Sequence, residues 1–303
     1  MSAIVSAVEK FRKDFPGPLR VGVGIDGSEL SEKAFDVACR ILHNERGDRL
    51  YAIHVAAHRS RVPDPLHSAE HLQRSFERRA YHHRATMTFY AREKSGTDTT
   101  TGILSALAEE LELDLLVVGA FGRKGEKVEV LGSVADGALR KSNCTVVVVR
   151  TTSYDLENSS AWTLAVDESK TSVHAFAAIV GRFAKKGDKI TVMHASFNRD
   201  GGKVLAPFQH CLEHEFKGEY EADTEFCSMP YAGQNSVSAA LMKFATDKQT
   251  DFLVMGISGW GKEKLGSVSE DVLMLSRVTA IAIKDPYEVR AKRAERQPEL
   301  IKN

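Results

Sequence analysis

A glycine-rich segment that ends in a serine follows an apolar run in the first half of the chain. The segment GAFGRKGEKVEVLGS, residues 119–133, separates Gly119 and Gly122 by two residues and Gly122 and Gly132 by nine, and it ends in Ser133. Glycine lets a backbone approach phosphate oxygens closely, and the free amides and dipole of a helix N-terminus favour an anion. The segment is typical of a phosphate cradle. An ordinary helix-capping loop is the alternative, and the spacing alone leaves both open.

Two other glycine patterns occur, and each departs from the site that it resembles. Gly22, Gly24 and Gly27 satisfy G-x-G-x-x-G, but a dinucleotide fingerprint needs these glycines after a strand, at the opening of a helix. Here the first two lie inside the apolar segment VGVGI. GISGWGKE, residues 256–263, approaches the phosphate loop G-x-x-x-x-G-K-[ST], except that Glu263 replaces the hydroxyl residue that binds Mg²⁺. Neither pattern predicts a nucleotide site.

The segments around these glycines recur in the second half in the same order. VGVGIDGSELSEKAF, residues 21–35, returns as TLAVDESKTSVHAF, residues 163–176, and DLLVVGAFG returns as DFLVMGISG. Self-similarity over this length indicates a duplicated domain rather than a solenoid repeat. We predict a first domain at residues 1–152 and a second at residues 160–303, separated by a polar segment without periodicity.

Each half alternates short apolar segments with amphipathic ones. In the first half VGVGI, LYAIHVA, LLVVG and TVVVVR are near-continuous apolar runs, typical of buried parallel strands. Residues 70–94 predict one long polar helix, which leaves the third strand short or missing, whereas TEFCSMPY predicts a third strand in the second half. Ser133 is the predicted N-cap of the helix SVADGALRKS. The fold class is α/β, with two doubly wound, five-stranded parallel-sheet domains, Rossmann-like and in tandem.

The composition predicts a globular chain without a highly charged partner. Its 303 residues include 41 Lys and Arg against 41 Asp and Glu, so no overall field favours nucleic acid or an anionic membrane surface. No run reaches the roughly 18 apolar residues of a membrane span, and residues 1–18 indicate a short amphipathic helix rather than a secretory signal. Four cysteines without a C-x-x-C pattern are typical of reduced thiols in the cytoplasm, which is the predicted location.

Four features together resemble the universal stress protein family. The first strand ends in Asp-Gly-Ser, the second ends in His-Val, the fourth precedes Gly-x2-Gly-x9-Gly-Ser, and the fifth is strongly hydrophobic. Both halves show this layout, so the resemblance covers nearly the whole chain and implies a tandem member. It also implies five-stranded parallel α/β domains that dimerise, often through the last strand. The ATP-binding members are nucleotide-dependent stress or signalling proteins more than fast enzymes.

The resemblance implies an ATP site in the first half, with or without Mg²⁺. Asp26 is expected at the ribose and phosphate region, and the backbone of Val55 at the adenine. The remaining positions are expected to line the ribose and triphosphate or to receive the phosphates, and they are Gly119, Gly122, Gly132, Ser133 and Val134. Arg123, Lys124 and Lys127 are interpreted as a solvated loop, which is the commoner fate of such residues.

The second half departs from this pattern at two places. Only six residues, instead of nine, separate Gly259 from Gly266, and Glu168 takes the place of Gly27. A shorter loop encloses less of a triphosphate, and the added carboxylate repels it. We therefore predict that the first half binds ATP or another adenine nucleotide and that the second binds it weakly or not at all. The weaker candidates are Asp167, Gly256, Gly259, Gly266 and Ser267.

The sequence predicts no metal site and no catalytic residue. His71, His82 and His83 fall on the predicted polar helix, and His67 lies just before it, at i, i+4 spacing to His71. A polar helix face is favoured over metal ligation because no Cys, Asp or Glu completes a familiar ligand set. No G-x-S-x-G elbow and no local nucleophile–base motif occurs. Any ATP hydrolysis is therefore expected to be slow.

Three functions stay open at the level of sequence. The favoured hypothesis is an ATP-dependent stress or signalling switch, in which nucleotide orders residues 119–133 and changes a surface that an unknown protein partner contacts. The first alternative is a slow ATP hydrolase, or a protein that autophosphorylates near Ser133. The second is a dimerisation scaffold that binds no nucleotide. The hydrophobic fifth strands, TVVVVR and TAIAIK, predict an intramolecular pseudo-dimer through antiparallel pairing, and a further homodimer of such chains is the larger assembly considered.

Overall fold

The computed structural model describes residues 3–56, 65–123, 125, 130–150, 159–196, 201–215, 217, 224–230, 236–257 and 265–300. The chain divides into two compact units. The first-half unit comprises Gly17–Asn158 and Arg277–Thr279, and the second-half unit comprises Met1–Pro16, Ser159–Ser276 and Ala280–Asn303. The helix α1, Ala3–Asp14, therefore belongs to the second-half unit. The predicted domain bounds, residues 1–152 and 160–303, stay a prediction.

The first-half unit contains one sheet of five strands in the order β3-β2-β1-β4-β5. The pairs β1–β2, β1–β4, β2–β3 and β4–β5 are all parallel. Its main elements are β1 (Arg20–Ile25), α2 (Glu29–Ile41), β2 (Arg49–Ala56), α3 (Ala69–His82), β3 (Met87–Glu93), α4 (Thr100–Glu110), β4 (Leu115–Gly119), α5 (Ser133–Lys141) and β5 (Thr145–Val149).

The second-half unit repeats this order as β8-β7-β6-β9-β10. The pairs β6–β7, β6–β9 and β7–β8 are parallel. Its main elements are β6 (Ala161–Ala165), α6 (Lys170–Ala178, continued by a π-helical turn, Ile179–Phe183), β7 (Lys189–Ser196), α7 (Gly201–His210, with a second π-helical turn, Cys211–Glu215), β8 (Thr224–Pro230), α8 (Val237–Asp247), β9 (Phe252–Ile257), α9 (Ser267–Leu275), β10 (Thr279–Lys284) and α10 (Pro286–Leu300). The α/β class with parallel sheets is confirmed. The predicted pairing of the two fifth strands stays a prediction.

The prediction of one long helix over residues 70–94 is wrong. α3 ends at His82, and Arg84 then adopts the left-handed region with a φ of 53°, which stops a helix. The chain continues as β3, parallel to β2, so the first half has its full third strand. β3 is the outermost strand of its sheet on that side, and its side chains are exposed or half-buried. An apolar run was therefore not required to build it.

The helix α1 packs into the second-half unit through one apolar stripe. Ile4, Val5, Val8 and Phe11 follow helical spacing and are buried. A Cβ placed on Gly181 would lie only 3.0 Å from the Phe11 ring, so the helix rests directly on the π-helical turn after α6. Burial of such side chains contributes roughly 1.5 to 3 kcal/mol each. This stripe explains why α1 joins the second-half unit.

Gly22 and Gly24 lie inside β1, as predicted. A Cβ at Gly22 would approach the Leu113 side chain to 2.2 Å, and one at Gly24 would meet Val118 at 3.4 Å. The first glycine is therefore a packing requirement of the sheet, not the turn of a dinucleotide fingerprint. Over the part of the chain that the structure describes, none of the helices combines the length and apolar character that crossing a bilayer requires.

Candidate functional site

The first strand delivers a carboxylate to the start of a helix. Asp26 directly follows β1, and its Oδ1 accepts hydrogen bonds from the backbone N–H and the hydroxyl of Ser28, at 3.0 and 2.6 Å. Ser28 caps α2 by accepting from the N–H of Ser31 at 3.2 Å. Gly27 has a φ of 81°, a conformation that favours glycine. The carboxylate is thus fixed at the N-terminus of α2, where the helix dipole stabilises negative charge.

The same carboxylate reaches the loop that follows β4. Asp26 Oδ2 accepts a hydrogen bond from the backbone N–H of Arg123 at 3.2 Å. A Cβ on Gly122 would lie 2.7 Å from that oxygen, inside van der Waals contact. Because any larger residue at this position would displace the carboxylate, the second glycine of the motif is explained by its contact with the first strand.

The third glycine closes the loop onto its own beginning. The N–H of Gly132 donates to the Ala120 carbonyl at 2.8 Å, and a Cβ on Gly132 would approach that oxygen to 3.1 Å. Gly132 is also the N-cap of α5, without a side-chain cap bond, so the prediction that Ser133 is the N-cap is wrong. Ser133 is instead the first helical residue, because the close approach to Ala120 selects glycine at the capping position.

A single cavity brings the predicted first-half residues together. Ser133 is exposed and does not line it. The predicted residues that line the cavity are Asp26, Val55, Gly119, Gly122, Gly132 and Val134. They come from the carboxyl ends of β1, β2 and β4 and from the first turn of α5. Parallel strands that end at one edge bring distant segments together, and this edge is where open α/β sheets bind ligands.

The cavity also has walls that the sequence did not indicate. Lys94 and Thr100, on either side of the connection from β3 to α4, line it, as does Leu104 of α4. Phe121 forms part of the opposite wall, where the Arg150 guanidinium lies over its ring at 5.4 Å. The sequence did not indicate Lys94, Thr100 and Leu104 as cavity residues, because the β3 segment is predicted as helix. That prediction places Lys94 far from the sheet edge.

The strand-end histidine of the first half supports the floor of the cavity. His54 Nδ1 lies 3.0 Å from the Ile25 carbonyl oxygen, which only accepts, so this nitrogen carries the proton. Burial is the main reason why the pKa of His54 lies below its ordinary value, and the nearby Arg123 charge acts in the same direction. A neutral histidine therefore links the ends of β1 and β2. The structure assigns it a packing role.

The equivalent carboxylate in the second half is held by a different set of hydrogen bonds. Asp167 Oδ1 accepts from the hydroxyl of Ser172 at 2.6 Å and from the N–H of Ser169 at 2.9 Å. Burial alone would raise the pKa of Asp167, but the hydrogen bonds from Ser169 and Ser172 outweigh it, so the pKa lies below its ordinary value. In the first half the residue matching Ser172 is Ser31, which donates to the Ser28 carbonyl instead.

The strand end beside Asp167 is also more tightly closed. A Cβ on Gly256 would lie 2.3 Å from the Thr171 carbonyl oxygen, whereas one on the matching Gly119 would meet the Leu30 side chain at 2.9 Å. Gly266 is the N-cap of α9 and Ser267 its first residue. Gly259 lies outside the described residues, as do Lys124 and Lys127. The backbone of α6 thus closes on β9, where the first half presents a side chain.

The histidines considered as metal ligands do not form one group. His67 ends a 3₁₀ turn before α3, His71 lies in the first turn of α3, and His83 pairs with Asp36 at 2.9 Å. Among the described residues, no group of three or more His, Cys, Asp or Glu is arranged to hold a metal ion.

Residues 19–150 match the model of the universal stress protein family. The first half of the chain is therefore similar to that family. A universal stress protein from Archaeoglobus fulgidus DSM 4304 has the same fold, with a TM-score of 0.60 at 18% identity over 88% of this chain and 98% of that chain. A functionally unknown protein from Pseudomonas aeruginosa PAO1 gives a TM-score of 0.64 at 13% identity over 93% of this chain and 98% of that chain.

These two likenesses show the fold of a universal stress protein and nothing finer, because their identities are low. A universal stress protein solved in complex with cAMP is 28% identical over 45% of this chain and 99% of that chain, with a TM-score of 0.36. The bound cAMP is an observation on that protein, not on this chain. Comparison with curated proteins finds no match.

Proposed function

We propose that the first-half unit binds ATP and that the chain acts as an ATP-dependent stress or signalling switch. One observation carries this proposal. The Asp26 carboxylate, the backbone at Gly122 and the start of α5 at Gly132 line one cavity. Asp26 joins the first strand to the loop that holds Gly122. One ligand can therefore contact three groups that suit a nucleotide, namely a carboxylate that accepts from hydroxyls, glycine backbone and helix amides.

The end of the cavity at α5 suits phosphate. The first amides of a helix have no intrahelical acceptor, and the helix dipole adds partial positive charge. Val134 and Ala135 belong to this first turn and line the cavity. Arg123 lines it as well and is exposed, so its guanidinium can reach an anion there. Phosphates at a helix N-terminus beside glycine backbone follow an established pattern of anion binding.

The other end suits a purine base. Ile53, Leu104 and Val118 give this part of the cavity apolar walls. Val55, at the end of β2, lies beside them. Ligand sites combine mainly apolar walls with a few fixed polar groups that set orientation. We assign adenine to this end and the ribose hydroxyls to Asp26, between base and phosphates.

The second-half unit is proposed to bind ATP weakly or not at all. Asp167 is held by the hydroxyl of Ser172 and the backbone of Ser169. The α6 backbone at Thr171 approaches the strand end at Gly256. This backbone approach leaves less room at the strand end than the Leu30 side chain does at Gly119 in the first half. The chain between Gly259 and Gly266 is also shorter by three residues.

The switch follows from the position of the loop. Gly122 and Gly132 lie near its two ends, and both line the cavity. Val130 precedes Gly132 and exposes 49% of its surface. A nucleotide that contacts both ends restrains the segment between them and the exposed side chain that it carries. Asp26 supplies a carboxylate to the cavity, and it is assigned to the ribose hydroxyls rather than to an attacking water, so a switch is favoured over an ATP hydrolase.

Hydrogen exchange with and without ATP tests the switch. Residues 119–133 are expected to gain protection when ATP is added to the wild-type chain. The gain is expected to disappear in Asp26→Ala. It is expected to persist in Asp167→Ala, which is the matched change in the second half and serves as the control. Protection that does not change in the wild type, although ATP binds, would overturn the switch and retain the binding site. Mg²⁺ is included and omitted in parallel, and phosphate release is followed to measure turnover.

A further inference from the structure

Lys94 lines the cavity from the connection between β3 and α4. It directly follows β3, and its backbone N–H donates to the Ala56 carbonyl at 3.2 Å. The register of β2 and β3 places Val55 opposite Arg92 and Ala56 opposite Glu93. Lys94 therefore stands beside the end of β2, next to the residue assigned to the base.

The backbone around Lys94 is fixed by a compact turn. Asp98 Oδ2 accepts from the N–H and the hydroxyl of Ser95, at 3.2 and 2.9 Å. The N–H of Asp98 donates back to the Ser95 carbonyl at 2.9 Å. Thr99 then caps α4 by accepting from the N–H of Gly102 at 3.0 Å. Lys94 and Thr100 thus reach the same cavity from the two ends of a defined connection.

The ammonium group of Lys94 differs from two guanidinium groups of the first-half unit, which are paired with carboxylates. Arg79 pairs with Asp36 at 2.8 Å, and Arg92 pairs with Glu110 at 3.4 Å. Among the described residues, no carboxylate lies within ion-pair distance of the Lys94 ammonium, and the residue is half-buried. A partly desolvated cation without a partner is unfavourable unless a ligand supplies one.

The position and chemistry of this group identify what it can contact. An ammonium group donates three hydrogen bonds and accepts none. The phosphate end of the cavity is assigned to α5, whereas the Lys94 backbone lies beside the end of β2, where the base is assigned. The part of the ligand beside Lys94 is therefore the base, which offers uncharged acceptors. Adenine carries such acceptors at its ring nitrogens. We propose that Lys94 donates a hydrogen bond to a ring nitrogen of the bound purine and thereby contributes to selection of the base.

This proposal rests on the proposed ATP site and is tested separately from it. Dissociation constants for ATP and for adenosine are measured with the wild-type chain, with Lys94→Met, which keeps the length of the side chain, and with Lys141→Met as a control. Lys141 is exposed at the last turn of α5. Since hydrogen bonds to charged groups are the stronger class, Lys94→Met is expected to weaken both ligands about tenfold or more. The control is expected to bind both as the wild type does.

Deaza analogues locate the contact on the base. One of 1-deaza-, 3-deaza- and 7-deaza-ATP is expected to bind the wild type more weakly than ATP by the same factor, and to bind Lys94→Met as well as ATP does. Unchanged affinity of Lys94→Met for ATP would overturn the proposal. A loss for ATP but not for adenosine would also overturn it, because it would place the ammonium on the phosphates. A wild-type chain that binds neither ligand would instead overturn the proposed ATP site.

Discussion

The Asp26 carboxylate accepts a hydrogen bond from the backbone N–H of Arg123 at 3.2 Å, across 97 positions of sequence. Its other oxygen accepts from Ser28, at the start of α2. One side chain therefore joins the end of the first strand, the following helix and the glycine loop after β4. This contact explains why an Asp-Gly-Ser segment and a distant glycine pair occur together, because each fixes the other.

A Cβ at position 122 is expected to disrupt this contact. Gly122→Ala would place that atom 2.7 Å from Asp26 Oδ2, so either the carboxylate or the loop must move. We expect the affinity for ATP to fall at least tenfold, about 1.4 kcal/mol, with little change in the thermal transition. Binding is measured by calorimetry. Gly17→Ala is the control, because no atom lies within 4 Å of its added Cβ. Equal affinities of Gly122→Ala and wild type would contradict the assigned role of this glycine.

Asp36 is expected to make the stability of the first-half unit depend on pH. Burial alone would raise the pKa of Asp36, but hydrogen bonds from His83 and Arg79 bring it below the ordinary value of 3.8. Since the folded pKa is the lower one, the carboxylate stabilises the fold above pH 3.8, and this contribution is lost as pH falls through the folded pKa. Asp36→Asn is expected to cost about 1 to 3 kcal/mol at neutral pH.

Chemical denaturation between pH 3 and pH 7 measures this difference. The gap in unfolding free energy between wild type and Asp36→Asn is expected to be constant near neutrality and to shrink in the acid range. Glu29→Gln is the matched control, because Glu29 is exposed and pairs with Lys33 on the same helix. A gap that does not depend on pH would show that the ionised form of Asp36 is not what stabilises the pair of helices.

The helix α1 is expected to stabilise the second-half unit selectively. Phe11 is 3% exposed and lies over Gly181, so Phe11→Ala is expected to cost about 3 to 5 kcal/mol. Hydrogen exchange should show lost protection in α6 and in the turn after it, with β1 and β4 unchanged. Lys13→Ala is the control on the exposed side of α1. Equal loss of protection in both units would contradict the assignment of α1 to the second-half unit.

Much of the fold could be predicted because its central strands are buried on both faces. Segments such as LLVVG at β4 and TVVVV at β5 are apolar throughout, and their recurrence in the second half supports the assignment. The third strand of the first half could not be found in this way. β3 is exposed at the end of its sheet, and its residues, MTFYARE, follow no apolar period.

The part of the site in which backbone geometry demands glycine could be predicted. The position of a side chain that follows an unpredicted strand could not. Gly122 and Gly132 are explained by short contacts, to Asp26 and to Ala120, that exclude a Cβ. Serine is a common N-cap, which predicts the capping role for Ser133. The close approach between Gly132 and the Ala120 carbonyl requires glycine at the capping position instead. Lys94 could not be found, since its place in the cavity follows from the pairing of β3 with β2.

The central claim is that the first half of the chain holds one ATP and the second half holds none at comparable affinity. Titration calorimetry of the full chain with ATP, using wild type, Asp26→Ala and Asp167→Ala, tests it most directly. We predict one site per chain in the wild type and in Asp167→Ala, and loss of that site in Asp26→Ala. Two equivalent sites, or no site in the wild type, would contradict this prediction. So would one site that survives in Asp26→Ala and disappears in Asp167→Ala.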